Sequence, residues 1–177
     1  MKIAAIIPVK TFSNAKTRLK LPSEKIEELC KVMLEEILQT LSISPQIDKI
    51  ILITKEEKAI ELGKKFKTIT IIDQEEKSVN EAVSLADKYL LENDYNASIV
   101  FPQDIPFIKT QDIDFMLRHQ LHPNFVIIVP SRKFDGTYAL VSKIQGLDMK
   151  AYETKITMKN KLAEEALANF ILKQVHV

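Results

Sequence analysis

Basic side chains follow the first apolar segment of the chain, and their types and spacing suit the binding of phosphate groups. The segment 3–7 is an unbroken apolar run that ends at Pro8, and no acidic residue occurs between positions 1 and 22. The cations that follow Pro8 in this stretch are Lys10, Lys16, Arg18 and Lys20. Ligands of open α/β sheets bind beyond the carboxyl ends of strands, so this pattern predicts a phosphate site. The spacing by itself also fits a solvated basic loop that binds nothing.

A carboxylate and an amide follow two later apolar segments. Asp104 stands between Pro102 and Pro106, just after the apolar segment 97–101, and Asn80 lies where a helix is expected to begin. A helix N-terminus favours anions, and a carboxylate opposite lysine and arginine suits a nucleoside triphosphate with Mg²⁺. The alternative for Asp104 is a turn aspartate that bonds its own backbone.

The elements that must position these residues alternate between strand and helix. Short apolar segments rich in β-branched residues predict strands at 3–7, 49–54, 68–72, 97–101, 125–129 and 137–141, of which the last is expected to be antiparallel. Capping residues and helical spacing predict helices that open at Ser23, Thr54, Ser78 and Thr110. In the first helix Cys30 lies on the apolar stripe, where it is expected to fill the core.

This alternation predicts an α/β fold: a mostly parallel open sheet with helices on both faces. In that topology the loops 8–20, 73–80, 102–106 and 131–137 gather at one edge of the sheet. The edge would then combine the cations, Asn80 and Asp104 with Thr137 in a single site.

Composition narrows the classes of function. The 177 residues suit one domain, and a net charge of +1 does not favour a general role in binding nucleic acid or membrane surfaces. No apolar stretch approaches the ~20 residues of a membrane span, and no signal peptide is recognised. One cysteine cannot form an internal disulfide, so a cytoplasmic location is expected.

Four motifs, in order, resemble a known family. They are PVKxxxxAKTRL at 8–19, SVNEAV at 78–83, QDIPF at 103–107 and DGTYAL at 135–140. Together they resemble the CofC family, the 2-phospho-L-lactate guanylyltransferases of coenzyme F420 biosynthesis. The resemblance implies a Rossmann-like fold of the nucleotide-diphospho-sugar transferase type, and it covers about residues 1–140. In the last motif Asp135 and Tyr138 replace the glycine and asparagine of the family.

The resemblance also implies roles for individual residues. It assigns catalysis to Lys16, Arg18 and Asp104, with Asp104 as the ligand of Mg²⁺. It assigns binding of the acceptor phosphate to Gly136 and Thr137. The residues it assigns to nucleotide binding are Pro8, Val9, Lys10, Lys16, Arg18 and Asn80.

The implied reaction joins GMP from GTP to 2-phospho-L-lactate, or to phosphoenolpyruvate, with release of pyrophosphate. A homodimer is implied as well. Residues 141–177 lack the family's glycine–serine acceptor segment and its closing acidic motif, which supplies a second metal carboxylate. Three explanations stay open: a divergent tail in which another acid supplies this ligand, a homologue that binds nucleotide without catalysis, and a reading frame shifted near residue 138. A related transferase that uses another base or acceptor is the remaining alternative.

Overall fold

The central feature of the protein is a mixed sheet built around its first strand. The structure is a computed structural model, and it describes residues 1–15, 19–118, 126–130 and 137–143. Within these residues the sheet has six strands in the order β3-β2-β1-β4-β6-β5. The strands β1 to β4 are mutually parallel, whereas β6 runs antiparallel to both β4 and β5. The predicted α/β class, the mostly parallel sheet and the antiparallel sixth strand are confirmed.

The elements follow one another in the predicted alternation, with bounds shifted by one or two residues. The strands are β1 (Ile3–Pro8), β2 (Lys49–Ile53), β3 (Ile69–Ile71), β4 (Ala97–Val100), β5 (Val126–Pro130) and β6 (Thr137–Lys143). The α-helices are α1 (Ser23–Ser42), α2 (Glu57–Lys65), α3 (Val79–Glu92) and α4 (Thr110–Arg118). A short 3₁₀ helix, Phe12–Asn14, follows β1.

Helices cover both faces of the sheet, as the sequence predicts. Buried residues of α1, α2 and α4 pack with one set of strand side chains, including Ile3, Ala5 and Ile7. The apolar residues of α3 pack with the alternate set, including Ala4 and Ile6. Because β1 is buried on both faces, it must be apolar throughout, which explains the unbroken run at positions 3–7. Cys30 is fully buried in α1 and fills the core there, also as predicted.

The helices α1 and α4 begin at the predicted residues, Ser23 and Thr110, but the predicted caps are shifted. Ser23 is the first residue of α1 and not its cap, which is Pro22. The predicted capping box at Thr54 does not form, because α2 begins later and Glu56 is its N-cap residue. The Thr54 hydroxyl instead accepts the backbone N–H of Glu56 at 3.0 Å. Thr110, like Ser23, is the first residue of its helix, α4, and therefore not the cap that precedes it.

Gly63 lies in the last turn of α2, which ends at Lys65. A Cβ at this position would lie 2.5 Å from both Leu52 Cδ1 and Thr68 Oγ1. The glycine therefore allows α2 to approach the sheet closely. Among the described residues, no helix is long and apolar enough to cross a membrane.

The buried and exposed faces of α1 give a test of this packing. Leu34 is fully buried, whereas Val32 on the same helix is half exposed. We expect Leu34→Ala to lower the free energy of unfolding by about 3 kcal/mol, because it leaves a cavity between helix and sheet. The matched variant Val32→Ala should change it by about 0.5 kcal/mol or less. Denaturant titration of both variants measures the difference, and equal losses would contradict this assignment of the α1 faces.

Candidate functional site

The carboxyl ends of the four parallel strands lie along one edge of the sheet. Pro8 of β1 pairs with Ile53 of β2, and Ile53 pairs with Ile71 of β3. On the other side of β1, Ile6 pairs with Val100 of β4. The segments that follow these strands therefore all begin at this edge.

The β5–β6 hairpin meets the same edge. Leu140 pairs with Val100 in the antiparallel ladder, and Pro130 at the end of β5 pairs with Thr137 at the start of β6. The backbone of Thr137 consequently lies at the carboxyl edge, beyond the last paired residue of β4. The register thus confirms that four loops begin or end at one edge. Gly136 and the loop 131–136 lie outside the described residues.

The strand order reverses between β1 and β4, which is where a ligand crevice is expected. Successive strands β1, β2 and β3 extend to one side, and the chain then crosses to place β4 on the other side of β1. Ligands of open α/β sheets bind at such reversals of strand order. Lys10 follows β1 and Asp104 follows β4, so one cation and one carboxylate flank the crevice. Both side chains are exposed.

A pocket adjoins this crevice on the β3 side, where the β1 loop faces the N-terminus of α3. It is an open cleft with about 300 Å³ of free space. Three of the residues predicted to bind nucleotide line it, namely Pro8, Val9 and Lys10. The other lining residues are Ile53, Asp73, Glu76, Ser78, Val79 and Ala82.

The N-terminus of α3 forms one wall of the pocket. The Ser78 hydroxyl accepts the backbone N–H of Glu81 at 3.1 Å, so the predicted cap at Ser78 is confirmed. Val79 is 52% exposed, because it precedes the turn that packs on the sheet. Asn80 lies in this first turn and is also exposed, next to two residues of the pocket wall.

Sequence reasoning missed the role of Glu76. One of its carboxylate oxygens accepts both the backbone N–H and the hydroxyl of Thr11, each at 2.8 Å. The other oxygen lies 3.6 Å from the Lys55 ammonium group. Only 12% of the Glu76 side chain is exposed. Its position after β3, three residues from an aspartate, resembles many polar turns, so no sequence signal distinguished it.

The loop that carries Glu76 has an unusual backbone. Glu76 has φ 46°, a left-handed conformation that costs a residue other than glycine about 1 kcal/mol. One Asp73 oxygen accepts the N–H groups of Glu75 and Glu76, at 3.3 and 3.0 Å, and so supports this turn. The turn directs the Glu76 side chain to the β1 loop.

A second carboxylate holds the β1 loop from another direction. One Glu56 oxygen accepts the backbone N–H of Phe12 at 2.9 Å, while the other accepts that of Lys58 in the first turn of α2. Phe12 is buried. Glu56 and Glu76, which we call the carboxylate anchor, therefore fix consecutive residues of the loop that leads to the basic cluster. Lys16 and Arg18 of that cluster lie outside the described residues.

The described residues bear on the predicted metal site in two ways. Among them, no group of three or more acidic, histidine or cysteine side chains could hold a metal ion. Mg²⁺ is commonly held by one or two carboxylates together with substrate phosphates, so Asp104 fits an ion that arrives with a nucleotide. The strands that lead to Asp73 and Asp104 are three strand spacings apart, about 14 Å. This argues against Asp73 as the second ligand, and Asp135 and Asp148 lie outside the described residues.

Comparison with known proteins identifies a family pattern over most of the chain. The model of the family described as "Guanylyl transferase CofC like" matches residues 3–167, further than the four motifs extend. The chain is 34% identical to a 2-phospho-L-lactate guanylyltransferase of Methanobrevibacter ruminantium, over 99% of the chain and 77% of that protein. A protein of the same name from Methanobrevibacter smithii is 32% identical over 80% of the chain and 62% of its own length.

A third relative differs in its named acceptor. A phosphoenolpyruvate guanylyltransferase of Conexibacter woesei is 28% identical over 80% of the chain and 65% of that protein. The chain thus spans just under two thirds of the length of this relative and of the Methanobrevibacter smithii protein.

Solved structures with little sequence identity share the fold. A candidate nucleotide-diphospho-sugar transferase from Desulfovibrio desulfuricans superposes with a TM-score of 0.66 at 15% identity, covering 93% of this chain and 78% of the other. A cytidylyltransferase from Leptospira borgpetersenii gives a TM-score of 0.58 at 15% identity, covering 93% and 64%. The fold expected from the resemblance is therefore confirmed.

The contact between Glu56 and the β1 loop can be tested without a ligand. We expect Glu56→Ala to lower the free energy of unfolding by about 1–2 kcal/mol, because it removes a helix cap and the acceptor of the Phe12 N–H. Amide exchange at Phe12 and Lys58 should accelerate as well. Glu61→Ala, an exposed position of the same helix, is the control and should alter neither quantity. Unchanged protection at Phe12 would contradict the contact.

Proposed function

The chain belongs to the family of CofC-like guanylyl transferases, and we propose that it transfers GMP from GTP to a small phosphorylated acid, 2-phospho-L-lactate or phosphoenolpyruvate, in coenzyme F420 biosynthesis. The names of the relatives support both the nucleotide and the two acceptors. The single observation that supports the proposal is the strand register: Ile6 pairs with Val100, and Lys10 and Asp104 each follow four residues later along adjacent strands.

The charges around this crevice support an orientation for the nucleotide. The pocket beside α3 is lined by apolar side chains, two carboxylates, Ser78 and Lys10. We propose that the nucleoside lies against its apolar wall, where base N–H groups and ribose hydroxyls can donate hydrogen bonds to polar lining residues. The phosphates would lie towards Lys10, on the side where Asp104 follows β4, and the family resemblance assigns Lys16 and Arg18 as further phosphate contacts.

The proposed reaction needs no protein nucleophile. An oxygen of the acceptor phosphate attacks the α-phosphorus of GTP, the bond from that phosphorus to the bridging oxygen breaks, and pyrophosphate leaves. The acceptor phosphate is ionised at neutral pH, so no strong base is required. The chain's own contribution is to position the two substrates and to neutralise charge. Mg²⁺ held by Asp104 would supply further neutralisation of the phosphate oxygens.

The C-terminal region is consistent with this proposal. The family match continues to residue 167, which supports a native but divergent tail over a shifted reading frame. A second metal carboxylate would then come from a residue such as Asp135 or Asp148. Thr137 begins β6, the strand that pairs with β4, and the family resemblance assigns the acceptor phosphate to Gly136 and Thr137. The proposed homodimer rests on the family resemblance, and the proposed cytoplasmic location rests on the single cysteine.

The proposal is tested directly by incubating the protein with GTP, Mg²⁺ and one acceptor at a time, while pyrophosphate release is measured. We expect release with 2-phospho-L-lactate or phosphoenolpyruvate, and the preferred acceptor should have the higher kcat/KM. CTP and ATP in place of GTP are the controls for the base. Binding of GTP without turnover on either acceptor would favour a catalytically silent homologue, and turnover with CTP would favour a related transferase.

Asp104→Asn tests the metal assignment. The substitution keeps the size of the side chain but removes the charge that would attract Mg²⁺. We expect kcat to fall by about 100-fold or more, since a metal ligand of the transferring phosphate is lost. Asp112→Asn, an exposed carboxylate of α4, is the matched control and should retain activity. Metal-dependent turnover that persists in Asp104→Asn would mean that another residue binds the metal.

A further inference from the structure

We infer that Glu76 is a positioning residue of the nucleotide site, which acts through Thr11 and sets the affinity for the nucleoside triphosphate. This inference rests on the proposed function, because it concerns the same site. Glu76 and Lys10 line the same pocket, and Thr11 is the residue that follows Lys10. The two hydrogen bonds from Thr11 to one Glu76 oxygen therefore fix the backbone next to the cation.

The two donors on Thr11 make this contact specific. A single backbone hydrogen bond would leave the loop free to rotate about it, whereas the N–H and the hydroxyl of one residue together define its orientation. The bonds to Glu76 cross 65 residues of sequence, and the Glu56 bond to Phe12 crosses 44. The start of the basic loop is thus held by two separate segments of the chain, and neither bond belongs to the sheet.

The presence of a carboxylate at a proposed triphosphate site needs an explanation. An unpaired Glu76 would attract Lys10 and repel the ligand, so that both effects would weaken binding. Lys55 lies 3.6 Å from the second Glu76 oxygen and also donates to the backbone carbonyl of Gln74 at 2.9 Å. Lys55 and Thr11 together satisfy the carboxylate. Among the described residues, no ion pair uses Lys10, which leaves its charge for the nucleotide.

The backbone at Glu76 has φ 46°, a left-handed conformation that Lys67 and Asp94 also adopt and that glycine would adopt at no cost. A glutamate at position 76 supplies the carboxylate that accepts from Thr11, and a glycine would not.

Glu76→Ala is the test, with affinity measured by calorimetry with GTP and Mg²⁺ and rates measured with the preferred acceptor. We expect GTP to bind about tenfold more weakly and KM for GTP to rise by a similar factor, while kcat changes by less than about twofold. Glu76→Gln should retain most of the affinity, because its amide oxygen can still accept from Thr11. Thr11→Val, which removes the hydroxyl donor, should weaken binding, whereas Thr11→Ser should not.

Glu75→Ala is the matched control, because this neighbouring carboxylate is exposed and pairs with Lys77. A merely structural role for Glu76 would reduce the folded fraction and therefore lower the apparent kcat at an unchanged KM. That result, or a GTP affinity equal to that of the wild type, would overturn the inference and leave the proposed function standing. If the wild-type protein itself bound no GTP, the proposed function and the inference would both fall.

Discussion

The parallel pairing of β1 with β2 on one side and β4 on the other is the constraint on which the site depends. This strand is buried between helices on both faces, so its side chains must be apolar and no polar group can lie along its length. Polar chemistry is possible only where β1 ends, at Pro8. Because the neighbouring strands are parallel to it, their carboxyl ends lie beside this point, and the loops that follow them share one edge.

The charges at that edge are arranged in two groups. The carboxylates Asp73 and Glu76 lie on the β3 side and are engaged by backbone N–H groups, Thr11 and Lys55. Lys10 and Asp104 follow the adjacent strands β1 and β4, and Lys10 also lines the pocket that contains both carboxylates.

The carboxylate anchor offers an explanation of how a loop with few glycines is held at a phosphate site. The chain contains three glycines, and none occurs between positions 1 and 62. A glycine-rich loop could wrap a phosphate with its own N–H groups, but here the N–H groups of Thr11 and Phe12 are already bonded to glutamates. The loop would then present side-chain cations to the phosphates. This difference makes the position of the loop depend on residues that follow β2 and β3, and it accounts for the presence of acids near basic residues.

The sequence by itself determined the α/β class, the elements within one or two residues, and the edge where the loops gather. These features follow from local periodicity and from a general property of parallel sheets. Motif resemblance added the family, which the comparisons confirm.

Only the tertiary structure shows which charged side chains contact one another. The contacts of Glu56 and Glu76 could not be predicted, because their partners are 44 and 65 positions away. The exposure of Val79 depends on where α3 meets the sheet, and the role of Gly63 depends on how closely α2 approaches Leu52. Contacts between distant segments leave no periodic signal in a single sequence, so only the folded chain reveals them.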